Sequence, residues 1–204
     1  MNYQRYRNAR DAAWMVLIRH GVRELPVDVK QICDGEGITL LPYSDAGQLL
    51  TAFGLCAHAK RADGFSMRYG NRILLFYNDK KPRCRQRFTI GHELGHYLNG
   101  DISEEPTKAN AEPGRADEPL ETAANLTAAR ILAPACVLWH MGIFDAKGIA
   151  KACDISITAA RFRAKRLKAL VERDREFQWT RGHGCFLQSP LERQVYQNFF
   201  GNGN

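Results

Sequence analysis

No apolar run in this sequence is long enough to cross a bilayer. The most apolar stretch near the start, Ala12–Ile18 (AAWMVLI), falls far short of the roughly 20 residues a spanning helix needs. Arg19-His20 follow it, with no small-residue cleavage site, so neither a signal peptide nor a membrane segment is expected. There is no CxxC pair. The six cysteines, at 33, 56, 84, 136, 153 and 185, are scattered, which disfavours a disulfide framework and points to reduced thiols in a cytoplasmic protein. Internal repeats and low-complexity tracts are also missing, so the chain reads as an ordinary globular protein.

Its 204 residues suffice for one sizeable core, or for a core with a small appended domain. The net charge of +7 is moderately basic, which suits a nucleic acid or an acidic partner but also suits plain solubility.

Residues 4–20 show helical spacing and end at Gly21. Pro26 opens a short helix, "VDVKQICDGEG", that glycines stop, and "ITLLPY" reads as a strand. "GFSMRYGNRILLFYN" reads as a hairpin around Tyr69-Gly70-Asn71. Pro82 then starts a helix that stops near Asn99-Gly100, and the polar, proline-bearing residues 101–119 read as a loop. A second helix is bounded by Pro119 and Pro134. Further helices are expected over 135–141, 145–153 and 156–175, with a last one in "SPLERQVYQNFF". Helices, three strands and helices again imply an α+β fold. The expected architecture is a small three-stranded sheet packed on the helix that carries HExxH and on a second ligand-bearing helix, followed by a helix-turn-helix-like C-terminal part. The expected division is an α+β domain over 1–134 that carries both of these helices, helices over 135–175 and a tail over 176–204 with a short helix.

The chemistry concentrates in "RQRFTIGHELGHYLNGD", residues 85–101. His92 and His96 are four apart, so on a helix they share a face and can aim two imidazoles at one ion. Zinc suits such nitrogens. Glu93 lies about 100° around the helix from His92, beside the ion rather than on it, where it can take a proton from water that the metal activates. The plainer alternative is a helix with two surface histidines. Phe88, Ile90 and Leu94, together with the helix glycines Gly91 and Gly95, speak against it, because they mark a helix packed closely on its neighbours.

A catalytic zinc needs a third protein ligand. Candidates downstream are Glu104, Glu105, Glu112, Asp117, Glu118 and Glu121, then His140 and His183. Glu121 is favoured because a helix can hold it rigidly. Asn125 shares its face one turn on and can accept the second ring N–H of a histidine ligand. As a first-turn acid after Pro119, Glu121 would also favour the helix dipole, a role compatible with ligation.

"RFTIGHELGH", followed 25 residues after His96 by "ETAANLTAARILAP", resembles the ImmA/IrrE family of metallopeptidases. The family pattern is R-F-T-x-x-H-E-x-x-H and then E-x-x-A-N-x-x-A-x-x-L-x-x-P. Here the second part falls on Glu121, Ala124, Asn125, Ala128, Ile131 and Pro134, with isoleucine where leucine is common. The hairpin sequence ahead of the motif is similar too. The resemblance implies a zinc endopeptidase with a thermolysin-like site. His92, His96 and Glu121 would be ligands, and Glu93 the general base and acid. It further implies a substrate: a transcriptional repressor of a mobile element or stress regulon, encoded nearby, whose cleavage relieves repression. "ILLFY" or "FSMRY" would be the edge strand that pairs with an extended substrate. No residue stands out as the oxyanion stabiliser; Tyr69, Tyr77, Tyr97, His140 and His183 are all open.

"GIAKACDISITAARFRAKRLKAL" reads as helix, tight turn, helix, with Asp154 where a turn glycine is common and Ser156 as a cap. Arg161, Arg163, Lys165 and Arg166 make the second helix basic. They are the candidate contacts if this part binds DNA phosphates; the base-reading Asn and Gln are missing from 156–175. The alternative function is therefore a non-enzymatic DNA-binding regulator whose metal site is structural or vestigial. The presence of Glu93 favours the enzyme, because a structural zinc has no use for it.

Overall fold

The computed structural model describes residues 3–105 and 118–201. The expected loop over 101–119 lies mostly outside the described residues, as do the candidates Glu112 and Asp117. The fold is α+β, as the alternation of elements implied. The order is α1 (Tyr3–Arg19), α2 (Val29–Gly35), β1 (Ile38–Pro42), α3 (Gly47–Ala52), α4 (Cys56–Arg61), β2 (Gly64–Tyr69), β3 (Arg72–Tyr77), α5 (Arg83–Asn99), α6 (Glu118–Leu132), α7 (Ala135–His140), α8 (Ala146–Cys153), α9 (Ile157–Arg181) and α10 (Pro190–Phe200). The chain divides into two compact units. The first contains residues 1–12 and 28–128, the second 13–27 and 129–204.

In the first unit the sheet order is β1-β3-β2. β2 and β3 form the expected antiparallel hairpin, closing at the Tyr69↔Arg72 pair over Gly70-Asn71. Gly70 supplies the positive φ of 58° that a glycine-first two-residue turn requires. β1 lies parallel to β3 on its other side, with Ile38 opposite Ile73. The central strand is therefore "RILLFY", and of the two sequences expected as edge strands, "ILLFY" is not one. Its continuous burial from Ile73 to Tyr77 is what a strand covered on both faces shows.

Alternation along the strands builds two layers on that sheet. Phe65, Met67, Leu74 and Phe76 enter a core with Ala46, Leu50 and Ala62, over which Tyr43, Phe53 and Leu55 are packed. The Phe65 and Phe76 rings stack at 4.8 Å between centroids. Helices α3 and α4 supply this cover, and the sequence did not announce them. Neither has a side-chain cap; their N-caps are Ala46 and Leu55. Short, uncapped helices form here because the sheet buries their apolar residues, so tertiary contact and not local propensity decides them. The opposite face of the sheet meets α5. An added Cβ on Gly64 would come 2.8 Å from the Phe76 carbonyl oxygen and against the Thr89 methyl, so this position is held open for the helix. Asp63 fastens the start of α5 to the sheet through Arg85 at 2.6 Å and Lys81 at 3.0 Å.

In the second unit, Asp145 caps α8 by accepting from the Lys147 and Gly148 N–H groups, both at 2.9 Å. Asp154 ends α8 in the left-handed conformation, φ 50°, where a turn glycine is common, and Ser156 caps α9 at Ala159 N. Helix, turn and helix are thus formed as the sequence implied, although α9 continues past 175 to Arg181. Its buried residues Ala160, Leu167 and Asp174 recur every seven positions, one narrow stripe on a long helix. Asp174 is the polar anchor of that stripe. It accepts from Cys185 N (2.6 Å), Phe186 N (3.0 Å) and Gln178 Nε2 (2.8 Å), and it leaves no room for a Cβ on Gly184. Asp174→Ala strands the backbone N–H groups of Cys185 and Phe186, the second of them buried. We expect it to destabilise the chain by about 2–4 kcal/mol, read as a lowered unfolding midpoint in urea.

None of the six cysteines, all of them among the described residues, forms a disulfide. Among the described residues no helix is long and apolar enough to cross a membrane.

Candidate metal centre

Helix α5 carries two working faces. Thr89 and Glu93, four apart, form a ridge against β2, whereas His92, Gly95 and His96 form a ridge against α6. Gly95 is what lets α6 come close. A Cβ there would stand 2.8 Å from Ala124 O and 3.0 Å from Ala124 Cα. A helix glycine costs about 1 kcal/mol relative to alanine, and here that cost is offset by close packing of two backbones.

This approach carries Glu121, on the first turns of α6, to the two histidines. His92 Nε2 lies 3.2 Å from Glu121 Oε2, His96 Nε2 lies 3.3 Å from Glu121 Oε1, and the two Nε2 atoms are 3.1 Å apart. The ligand-type atoms of His92, His96 and Glu121 all fall within 4.8 Å of one another, the one such cluster among the described residues.

The outer ring nitrogens are engaged in turn. His92 Nδ1 is 3.0 Å from Asn125 Oδ1, and His96 Nδ1 is 3.3 Å from Asp101 Oδ2. With these acceptors the Nδ1 atoms carry the protons, so each neutral ring turns an Nε2 lone pair toward the other. Two lone pairs and a carboxylate at such distances repel unless a cation lies among them. Glu121 Oε2 is enclosed without a well-aligned hydrogen bond, which also calls for a cation. Without an ion, a proton on an Nε2 must take its place, and the rings and the carboxylate then pair as opposite charges. Burial opposes charge on His96, but hydrogen bonds to Asp101 and Glu121 and the charges of Glu93 and Glu121 hold its pKa up at about 9. Burial likewise opposes charge on Glu121, yet hydrogen bonds from His92 and His96 hold it down to about 2. The donors fit zinc: bonds of roughly 2.0–2.1 Å at tetrahedral angles space ligand atoms roughly 3.3 Å apart.

Glu93, next to His92 on α5, reaches β2. It is 5 % exposed, and its Oε2 accepts from Ser66 Oγ at 2.7 Å.

Asp101 and Ser66 were not among the candidates read from the sequence. The signal for Asp101 was present but subtle. Gly100, φ 78°, ends α5 in a turn where Asp101 N donates to His96 O at 2.9 Å and Gly100 N to Tyr97 O at 3.1 Å. In this helix-ending motif the residue after the glycine folds back over the residue five before it. Here those two are Asp101 and His96. Nothing local marks Ser66, whose place depends on how the sheet meets α5. We expect Asp101→Ala to lower zinc affinity by about 10–100-fold with the fold kept, measured by competition with a chromophoric chelator.

Other candidates lie elsewhere. Tyr77 Oη accepts from Lys30 Nζ at 3.2 Å, and Tyr69 is exposed and packs on Phe53. His140 and His183 belong to the second unit, near Tyr196 Oη and the Gly184 carbonyl. Of the basic residues expected to meet DNA, Arg161, Lys165 and Arg166 are exposed. Arg163 is not part of that face. Its Nε donates to Ala133 O at 2.7 Å, and burial pulls its pKa down to about 10. It serves a carbonyl that the end of α6 leaves open.

No curated protein matches the chain. One family model does, over residues 49–165: that of the M78 peptidases, described as the IrrE N-terminal-like domain. The matched span runs from α3 into α9 and contains β2, β3, α5 and α6 whole.

Proposed function

The chain belongs to the M78 peptidase family with the IrrE N-terminal-like domain, and on that premise we propose that it is a zinc endopeptidase that cleaves a transcriptional repressor. The observation that carries this reading is the convergence of His92 Nε2, His96 Nε2 and the Glu121 carboxylate, with Glu93 next to His92 on the same helix.

His92, His96 and Glu121 would hold the metal, with Asn125 and Asp101 fixing the tautomers of the two rings. Zinc bound by them supplies a Lewis acid that polarises a peptide carbonyl and brings the pKa of water down to about 7. Glu93 accepts the water proton on its carboxylate and passes it to the leaving amine. Its neighbours equip it for this, since Ser66 and the face of β2 keep it from turning into bulk solvent. β2 is the sheet edge beside this helix, and an extended substrate segment can pair with it. The chain's own Ser103 O already accepts from Arg68 N at 2.7 Å, so pairing would end before that residue.

The repressor as substrate rests on family membership and on the motif resemblance. The test is incubation of the chain with zinc and with any helix-turn-helix repressor found encoded beside it. Cleavage at a defined bond, stopped by a chelator and restored by zinc, supports the reading. A repressor left intact by the zinc-loaded chain contradicts it. The exposed Arg161, Lys165 and Arg166 favour a second, compatible role, phosphate contact that draws the peptidase to a repressor on DNA. Binding to duplex DNA that does not weaken with added salt would count against that role.

A further inference from the structure

We propose that Ser66 is the positioning residue of Glu93: its buried hydroxyl holds Oε2 and thereby fixes the plane in which the carboxylate presents Oε1. The inference rests on the reading of Glu93 as the proton carrier, and it adds a residue that the HExxH and second-helix motifs do not contain.

The argument starts from two rungs. Gly64 and Ser66 project from the same face of β2, two residues apart, which is about 6.6 Å along a strand. Thr89 and Glu93 project from the same face of α5, four residues apart, which is about 6.0 Å along a helix. The spacings match, and both rungs are formed. Gly64 abuts the Thr89 methyl, and Ser66 Oγ donates to Glu93 Oε2 at 2.7 Å. The first rung sets the strand-to-helix distance, because any side chain at 64 would push the two apart. The second then needs a side chain short enough to fit and able to donate. Serine meets both conditions. Ser66 is 1 % exposed and Glu93 5 %, so water cannot readily replace the hydroxyl. A carboxylate that must take up and release a proton needs one orientation throughout, and a charge-assisted bond of this length supplies it.

The test uses the chain in five forms: wild type, Ser66→Ala, Ser66→Thr, Glu93→Gln, and Ser66→Ala made in the Glu93→Gln background. The first readout needs no substrate. In infrared difference spectra with 13C-labelled glutamate, Ser66→Ala should shift one carboxylate stretching band and Ser66→Thr, which keeps the hydroxyl, should not. In the Glu93→Gln background the Ser66→Ala difference band should vanish. Cobalt loaded in place of zinc should show unchanged stoichiometry and visible spectrum in all forms. With the repressor as substrate, Ser66→Ala should lower kcat about tenfold, with KM unchanged and threonine restoring most of it. A band unmoved by Ser66→Ala, or a band shift that persists without Glu93, overturns the proposal. If Glu93→Gln itself leaves cleavage intact, the reading of Glu93 fails, whatever the infrared bands show of the Ser66 contact.

Discussion

Glu93→Gln is expected to keep a full complement of zinc and to lower peptide hydrolysis by about 10²–10⁴-fold. The expectation follows from where Glu93 sits. The metal-facing ridge of α5 is His92, Gly95 and His96, and Glu93 belongs to the other ridge, against β2. Glutamine has the same shape, and its amide oxygen still accepts from Ser66, so neither packing nor the ligand cluster is disturbed. What is lost is a carboxylate that can accept a proton and release it. Zinc content and single-turnover cleavage, measured on the same preparation, separate the two effects. If zinc is lost together with activity, Glu93 supports the metal site instead of moving a proton. If cleavage survives, another group is the base.

Gly95→Ala is expected to disrupt the centre without touching a ligand. The new Cβ would meet three backbone atoms of Ala124 at 2.8–3.3 Å, and backbone cannot turn aside as a side-chain tip can. Helix α6 must move or tilt, and Glu121, three residues before Ala124, moves with it. Overpacking of this kind costs about 1–3 kcal/mol of stability. Displacing one of three ligands should weaken zinc binding by more than about tenfold, of the order seen when a ligand's support is lost. Denaturant unfolding of the metal-free chain reads the first effect, and chelator competition reads the second. A stable Gly95→Ala variant with unaltered zinc affinity would show that close approach of α5 and α6 is not what places Glu121.

The two helices that build the centre were legible in the sequence because their signals are local. His92 and His96 need only the helical repeat to be seen on one face, and Glu121 and Asn125 need the same. The hairpin was legible from its turn residues, and the α8–α9 pair from Asp154 and Ser156. What failed to show depends on contacts between distant segments. The central place of β3 is set by its parallel pairing with β1, more than thirty residues earlier. Helices α3 and α4 exist because Phe65 and Phe76 need cover on the face opposite α5. Arg163 reads as one more cation in a basic run, and only the chain's path brings Ala133 O to it. Ser66 is an unremarkable serine until the Gly64–Thr89 contact fixes how β2 lies on α5.

Zinc stoichiometry in wild type and Glu121→Ala tests the central claim most directly. Each chain is stripped with a chelator, reloaded and measured by elemental analysis after gel filtration. A centre built from His92, His96 and Glu121 predicts about one zinc per wild-type chain and a small fraction of that in Glu121→Ala. Equal zinc in the two forms, or none in the wild type, would contradict it.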